Sequence, residues 1–229
     1  VQTCALPIFG GQVMKNVAGF DVSRLMAGSL GTLGLILEVS LKTLPLPAAE
    51  ASLVLEMPQG RAIDAMNRWA GQPLPISATA WSDGELHVRL SGARAAVASA
   101  VQALGGERMD EARAAAFWRG LREHETGFDR DLPLWRLSVP SSTPPLELPG
   151  ATLLEWNGAL RWHSSKAGAR GIRESVARVG GHACLFRGGD KSAGVFHPLS
   201  PALMGIHQRL KATFDPLGLF NRGRMYREF

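Results

Sequence analysis

KNVAGFDVSRLMAGSLGTLG, residues 15–34, is the densest constellation in the chain: Gly28, Gly31 and Gly34 recur at intervals of three, with the hydroxyls of Ser29 and Thr32 between them. Glycines let a ligand approach the backbone closely, so exposed N–H groups can meet a pyrophosphate and a hydroxyl can donate to it. The spacing is neither the Walker pattern nor G-x-G-x-x-G, and taken alone it also fits a Gly-rich helix-to-strand turn. A short helical turn is predicted over 22–27. Residues 35–41 have the alternating, β-branched look of a strand, which Pro45 and Pro47 stop. The run LPLPAAE at 44–50 marks a boundary, because proline removes ladder donors.

Beyond the boundary the pattern predicts strand 51–57, helix 60–71, strand 76–82, strand 85–90 and helix 93–104. Asp83-Gly84 suits a type I′ hairpin, in which both central residues take positive φ. A similar rhythm follows: helix 110–123, strand 134–139, a Pro-rich loop, strand 152–156, turn Asn157-Gly158, strand 159–163, helix 166–179 and strand 182–187. The two α+β units imply one antiparallel sheet with helices on one face. A last helix over 201–214 leads into DPLGLFNRGRMY at 215–226, a segment that must dock on something to be ordered and is expected to return to the first domain.

Composition narrows the function. The chain has 229 residues, 45% of them apolar, a net charge of +5 and two cysteines, Cys4 and Cys184, far apart in sequence. Disorder, a coiled coil and a disulfide scaffold fit poorly, and a reducing compartment is the default. Of the 25 basic residues 20 are arginine, spread singly from Arg24 to Arg227 among acids, which argues against nucleic acid. The most apolar stretch, 25–41, is broken by glycines and polar residues and falls short of the roughly 20 apolar residues of a membrane span. No secretory signal is evident, so a cytoplasmic location is expected. His87, His124, His163, His182, His197 and His207 show no H-x-H, H-E-x-x-H or C-x-x-C spacing, so no metal site is assigned.

KNVAGFD, GSLGTLGLILEVSLKTLPLP and the closing GLFNRGRMY together resemble the FAD-linked oxidases with the two-part flavin domain of the vanillyl-alcohol oxidase type. The nearer resemblance is to flavin subunits of bacterial glycolate oxidase (glycolate dehydrogenase). It extends through LPIS at 74–77, W-x-G-A-L-R-W at 156–162 and GGHA at 180–183, and covers roughly residues 9–229. It implies the C-terminal part of a PCMH-type FAD-binding domain over 1–47, an α+β, ferredoxin-like cap domain over 48–199, and a helix and tail over 200–229 returning to the flavin domain. The family carries another half of the flavin domain upstream, and VQTCALPI at 1–8 does not read like the strand that leads into this motif; a foreign or misassembled lead on a truncated gene is the expectation. Arg222 stands where the family has proline, which loosens that turn.

By the same resemblance FAD lies along Lys15, Asn16, Gly19, Asp21, Gly28, Ser29, Gly31, Thr32 and Gly34, with Asn221 approaching from the tail. Asp21 and Arg24 read equally well as a helix-start acid and a surface base. The implied partners are a small 2-hydroxy acid, a second flavin subunit and an iron–sulfur subunit, with peripheral association at the inner face of the cytoplasmic membrane through the complex. A structural subunit that clasps its flavin paralogue, and a flavin-free module, are the rival readings.

Oxidising a 2-hydroxy acid to its 2-oxo product, glyoxylate in the case of glycolate, requires a hydride acceptor, a base for the hydroxyl proton and a cation for the carboxylate. In related enzymes a Gly-Glu-His-Gly segment offers its histidine to the substrate hydroxyl, which makes His182 the candidate base, although Gly181 replaces the acid. Arg161 and Arg187 are the candidate carboxylate clamps, since a guanidinium fork holds both oxygens. In a regular strand His182 and Arg187 face opposite ways, so Arg161 is preferred. The six tryptophans read as core and subunit contacts.

Overall fold

The computed structural model describes residues 9, 21–125 and 128–229. It divides into two units, Val1–Leu44 with Pro198–Phe229, and Pro45–His197.

The larger unit is an α+β fold on one eight-stranded sheet. Its strands are β1 (Ala49–Glu56), β2 (Ile76–Ser82), β3 (Glu85–Gly92), β4 (Glu107–Arg108), β5 (Leu134–Ser138), β6 (Ala151–Glu155), β7 (Leu160–Ser164) and β8 (His182–Arg187). They lie in the order β4-β1-β3-β2-β6-β7-β5-β8, and the pairings are antiparallel. The Asp83-Gly84 turn has both residues at positive φ, 51° and 89°, as the sequence predicts.

Helices α2 (Gln59–Ala70), α3 (Arg94–Leu104) and α5 (Ala169–Arg178) pack on one face. There Ile63, Met66 and Val97 meet Leu53, Val88 and Leu90, and further along Ile172 and Val176 meet Leu137 and Leu185. Helix α4 (Glu111–Arg122) lies on the opposite face, contrary to the one-face expectation. Its Phe117 stacks on His87 at 3.9 Å, its Trp118 Nε1 donates to Ser52 Oγ at 2.8 Å, and its Leu121 joins Ala80, Leu153 and Trp162. An amphipathic pattern says that a helix has a buried side but not which face of a sheet receives it.

The smaller unit holds α1 (Val22–Met26) and α6 (Pro201–Phe214). Residues 35–41 form no strand there. Leu35, Leu37, Val39 and Leu41 keep their alternation but are exposed, because among the described residues no neighbouring strand supplies the ladder that a single extended segment cannot make for itself. Among the described residues no helix is long and apolar enough to cross a membrane, and no cluster of three or more His, Cys, Asp or Glu could hold a metal ion.

At the end of β6 the chain makes a one-turn 3₁₀ helix, Trp156–Gly158, in which all three residues have positive φ. For Trp156 and Asn157 this costs about 1–2 kcal/mol each. Polar contacts over-determine the geometry: Asn67 Nδ2 donates to the Asn157 carbonyl, Thr79 Oγ1 exchanges hydrogen bonds with Asn157, and a Cβ on Gly158 would stand 2.9 Å from the Ser141 carbonyl.

Gly181 is required by space. A Cβ there would collide with the Ser138 carbonyl and sit 2.7 Å from Val139 Cγ1 and 2.9 Å from Val176 Cγ1. Gly181→Ala is expected to destabilise the larger unit by about 1–3 kcal/mol. Gly168→Ala, with nothing within 4 Å of the new methyl, should cost less than about 1 kcal/mol, the preference for glycine over alanine at the N-cap of α5. Urea unfolding of the two variants checks this, and equal midpoints would contradict it.

Candidate functional site

In the smaller unit the Gly-rich motif forms a compact turn after α1. Asp21 caps that helix, accepting the Arg24 N–H at 3.0 Å and pairing with the Arg24 guanidinium, so the helix-start reading of these two residues describes their local contacts. Gly28, Leu30 and Gly31 take positive φ of 81°, 54° and 70°. The N–H groups of Ser29 and Thr32 are used internally by the Met26 and Ser29 carbonyls, which leaves those of Gly28, Leu30 and Gly31, without an acceptor among the described residues, as the turn's candidate donors. Gly28 has open space where a Cβ would stand, so a phosphate-bearing ligand could lie against the backbone there. Thr32 differs from the expectation that its hydroxyl serves a ligand: it is 2% exposed and its Oγ1 donates to the Ser29 carbonyl at 2.7 Å. Gly34 sits where a Cβ would stand 3.2 Å from Met26 Cε. Lys15, Asn16 and Gly19 lie outside the described residues.

The tail closes over this turn. Asn221 Nδ2 donates to the Leu30 carbonyl at 2.7 Å, and a Cβ on Gly31 would stand 2.8 Å from that same nitrogen, so glycine is needed for the approach. Beneath them Lys211 of α6 directs its ammonium to the Thr32 carbonyl at 2.7 Å, the Phe220 carbonyl at 2.5 Å and Asp215 Oδ2 at 2.6 Å. Three donors meet three acceptors, and both side chains are buried. Asp215 also receives the N–H groups of Leu219 and Phe220, each at 2.9 Å. Burial pushes its carboxyl pKa up, but the hydrogen bonds from Lys211, Phe220 and Leu219 outweigh burial and hold it at about 2.

In the larger unit the two residues expected to act together are separated. Arg161 pairs across the sheet with Leu137, which pairs with Ala183, so it shares a face with Ala183 and not with His182. It is 1% exposed, and its guanidinium donates to the carbonyls of Gly158, Pro144 and Thr143. Burial lowers its pKa to about 10, and its donors anchor the Pro-rich loop instead of facing solvent. Arg161 is therefore corrected to a structural residue. Strand β8 is also irregular: Leu134 faces Arg187 and Trp135 faces Leu185, so Phe186 is an extra residue and Arg187 returns to the side of Leu134. His182 and Arg187 still stand at opposite ends of the strand.

His182 is exposed, opposite Ser138, on the face that carries Cys184, Arg136, Trp162 and Glu155. Arg136 pairs with both Cys184 and Trp162, which puts it diagonally beside His182. Glu155 Oε2 accepts Trp162 Nε1 at 2.6 Å, and burial raises its carboxyl pKa against the lowering effects of that bond and of Arg136. An acid, a guanidinium and an imidazole thus share one sheet face. Sequence reasoning passed over Arg136 and Glu155, although the signal existed in the alternation of LWRLS, which sends Arg136 to the side opposite Trp135 and Leu137. It also passed over Lys211 and Asp215, four residues apart at the end of α6.

No protein-family model matches the chain. It is similar to glycolate oxidase subunit GlcE of Escherichia coli (strain K12), with 47% identity over 222 residues that cover 96% of this chain and 61% of that protein. A shorter similarity, 44% identity over 45 residues, joins it to glycolate oxidase subunit GlcD of Bacillus subtilis (strain 168), covering 20% of this chain and 10% of that one. The chain spans about three fifths of the length of the first of these relatives and a tenth of the second.

Lys211→Met should free the tail, with amide exchange at Leu219 and Phe220 accelerating at least about tenfold. Because the Asp215 pKa is depressed from 3.8 to about 2, the stabilisation is fully present above about pH 4 and is lost as pH falls through 2. Exchange measured by NMR from pH 5 to pH 2 checks both. Unchanged protection in Lys211→Met would contradict them.

Proposed function

We propose that this chain, similar to a GlcE glycolate oxidase subunit along 96% of its length, is part of an FAD-binding subunit of a complex that oxidises glycolate to glyoxylate. The observation that carries the reading is the Gly28–Thr32 turn pinned under Asn221 by Lys211, two separate pieces of the family motif meeting in one place. Lys15, Asn16, Gly19, Asp21, Gly28, Ser29, Gly31, Gly34 and Asn221 would line the cofactor, while Thr32 shapes the turn through its backbone carbonyl and inward hydroxyl. FAD, when bound, supplies the acceptor for the hydride that leaves the substrate Cα.

The chain's own residues then have two tasks. His182 accepts the hydroxyl proton at its imidazole as the C–H bond breaks, and Arg136, beside it on the same face, holds the carboxylate in place of Arg161. Residues 1–47 would belong to a PCMH-type flavin domain, 48–199 to its cap and 200–229 to the returning tail. The exposed, alternating run at 35–41 is accounted for if further strands of that domain pair with it. A second flavin subunit and an iron–sulfur subunit would complete the complex at the inner face of the cytoplasmic membrane. A structural subunit that clasps its flavin paralogue is the second reading, favoured by the commitment of Arg161 and Thr32 to internal hydrogen bonds.

The test is glycolate-dependent dye reduction by the complete complex. His182→Ala should lower kcat by about 10² to 10⁴ with flavin content unchanged, and Arg136→Met should mainly raise KM for glycolate. Unchanged turnover in His182→Ala would reject the base assignment, and a colourless complex that still assembles would favour the structural reading. The 229 residues by themselves should bind little FAD. Saturable micromolar binding, read by flavin fluorescence, would contradict that expectation.

A further inference from the structure

Two motifs far apart in sequence, LPIS at 74–77 and the Trp156 turn, meet at a groove that the proposed chemistry does not use. Among the described residues strand β6 pairs with β2 only at Ala80 and Trp81, so Ile76–Ala78 have β3 on one side and no described strand on the other. The groove along this edge has a cavity volume of about 1190 Å³. That exceeds the roughly 300–1,000 Å³ of small-molecule pockets and is far too large for a two-carbon acid. Trp156 borders it with 67% of its surface exposed, on a backbone of three successive left-handed residues locked by Asn67 and Thr79. Those bonds fix the backbone beside Trp156, so a partner that covers the exposed indole need not order the turn that carries it.

Charge selects the occupant. Arg89, Arg108, Arg119 and Arg122 line the groove, and Arg108 and Arg119 form no ion pair among the described residues. Three carboxylates, Glu50, Glu111 and Glu155, line it beside those four guanidiniums, so the excess is one positive charge, and of these the unpaired cations, among the described residues, are Arg108 and Arg119. A second copy of this chain, with its net charge of +5, matches that surface poorly.

We propose that the groove docks an extended, carboxylate-bearing segment of another protein subunit, which adds to the free edge at Ile76–Ala78 beneath Trp156. The inference rests on the reading of this chain as a subunit and names the surface by which it assembles. Main-chain hydrogen bonds to β2 give affinity, Trp156 covers the added strand, and Arg108 and Arg119 select acidic side chains.

The experiment measures binding of the purified full-length subunit to its separately purified flavin paralogue by calorimetry, with hydrogen exchange followed at residues 76–79. Trp156→Ala should weaken binding at least tenfold with an unchanged circular dichroism spectrum, and Trp156→Phe should recover part of the loss. Arg108→Glu with Arg119→Glu should weaken it further, while Arg170→Glu on α5 should not. Protection at 76–79 should appear only with the paralogue. Assembly unaffected by these variants, protection conferred by glycolate alone, or a self-dimer lost in Trp156→Ala would each overturn the proposal while leaving glycolate turnover to be judged separately. No assembly by the wild type would reject both the surface and the subunit reading.

Discussion

A buried ammonium with three acceptors holds the smaller unit together. Lys211 joins a Gly-rich turn, a helix and a tail that are distant in sequence, and it does so through the carbonyls of Thr32 and Phe220 and the carboxylate of Asp215. Taking a charge out of water is costly unless each of its donors is matched. Here each is matched, and the cost of a wrong geometry becomes the reason for a single one. The backbone of Gly28, with open space beside it, and of Gly31, under the Asn221 amide, has a defined position because Lys211 fixes the residue that follows and Asn221 fixes Leu30 between them.

The larger unit uses the same device with a different cation. Buried Arg161 pairs with no carboxylate among the described residues and spends its guanidinium on three carbonyls, tying the Pro-rich loop to the sheet. Burial lowers its pKa to about 10, which still leaves it charged at neutral pH. One face of the sheet is thereby closed off by helices and an anchored loop. The other carries His182 with Arg136 diagonally beside it, the pair on which the proposed proton transfer and carboxylate binding rest.

Much of the fold was legible in the sequence. Asp83-Gly84 marks a hairpin because both residues tolerate the positive φ that a type I′ turn requires, and the apolar spacing of Ile63, Met66 and Trp69 marks α2. Residues 35–41 read as a strand and are not one here, since alternation describes a preference that needs a neighbour to become a ladder. Helix α4 was predicted within a residue of each bound but not its side of the sheet, which Ser52 and His87 decide through long-range contacts. The candidate site was less legible. Arg161 in its hairpin looks like any arginine until the carbonyls of Thr143 and Pro144 in the Pro-rich loop, and of Gly158 in the turn, close around it, and Lys211 looks like an ordinary helix lysine until the tail returns. The bulge at Phe186 reverses the direction of Arg187, and no local pattern announces it.

The central claim is that the turn shaped by Lys211 and Asn221 is where a flavin cofactor lies. A crystal structure of the complete natural protein with FAD bound tests it most directly. The account predicts pyrophosphate oxygens within hydrogen-bond distance of the backbone N–H groups between Gly28 and Gly31, with Lys211 still on the Thr32 carbonyl. A pyrophosphate seated on a different segment, or one held by Lys211 itself, would contradict it.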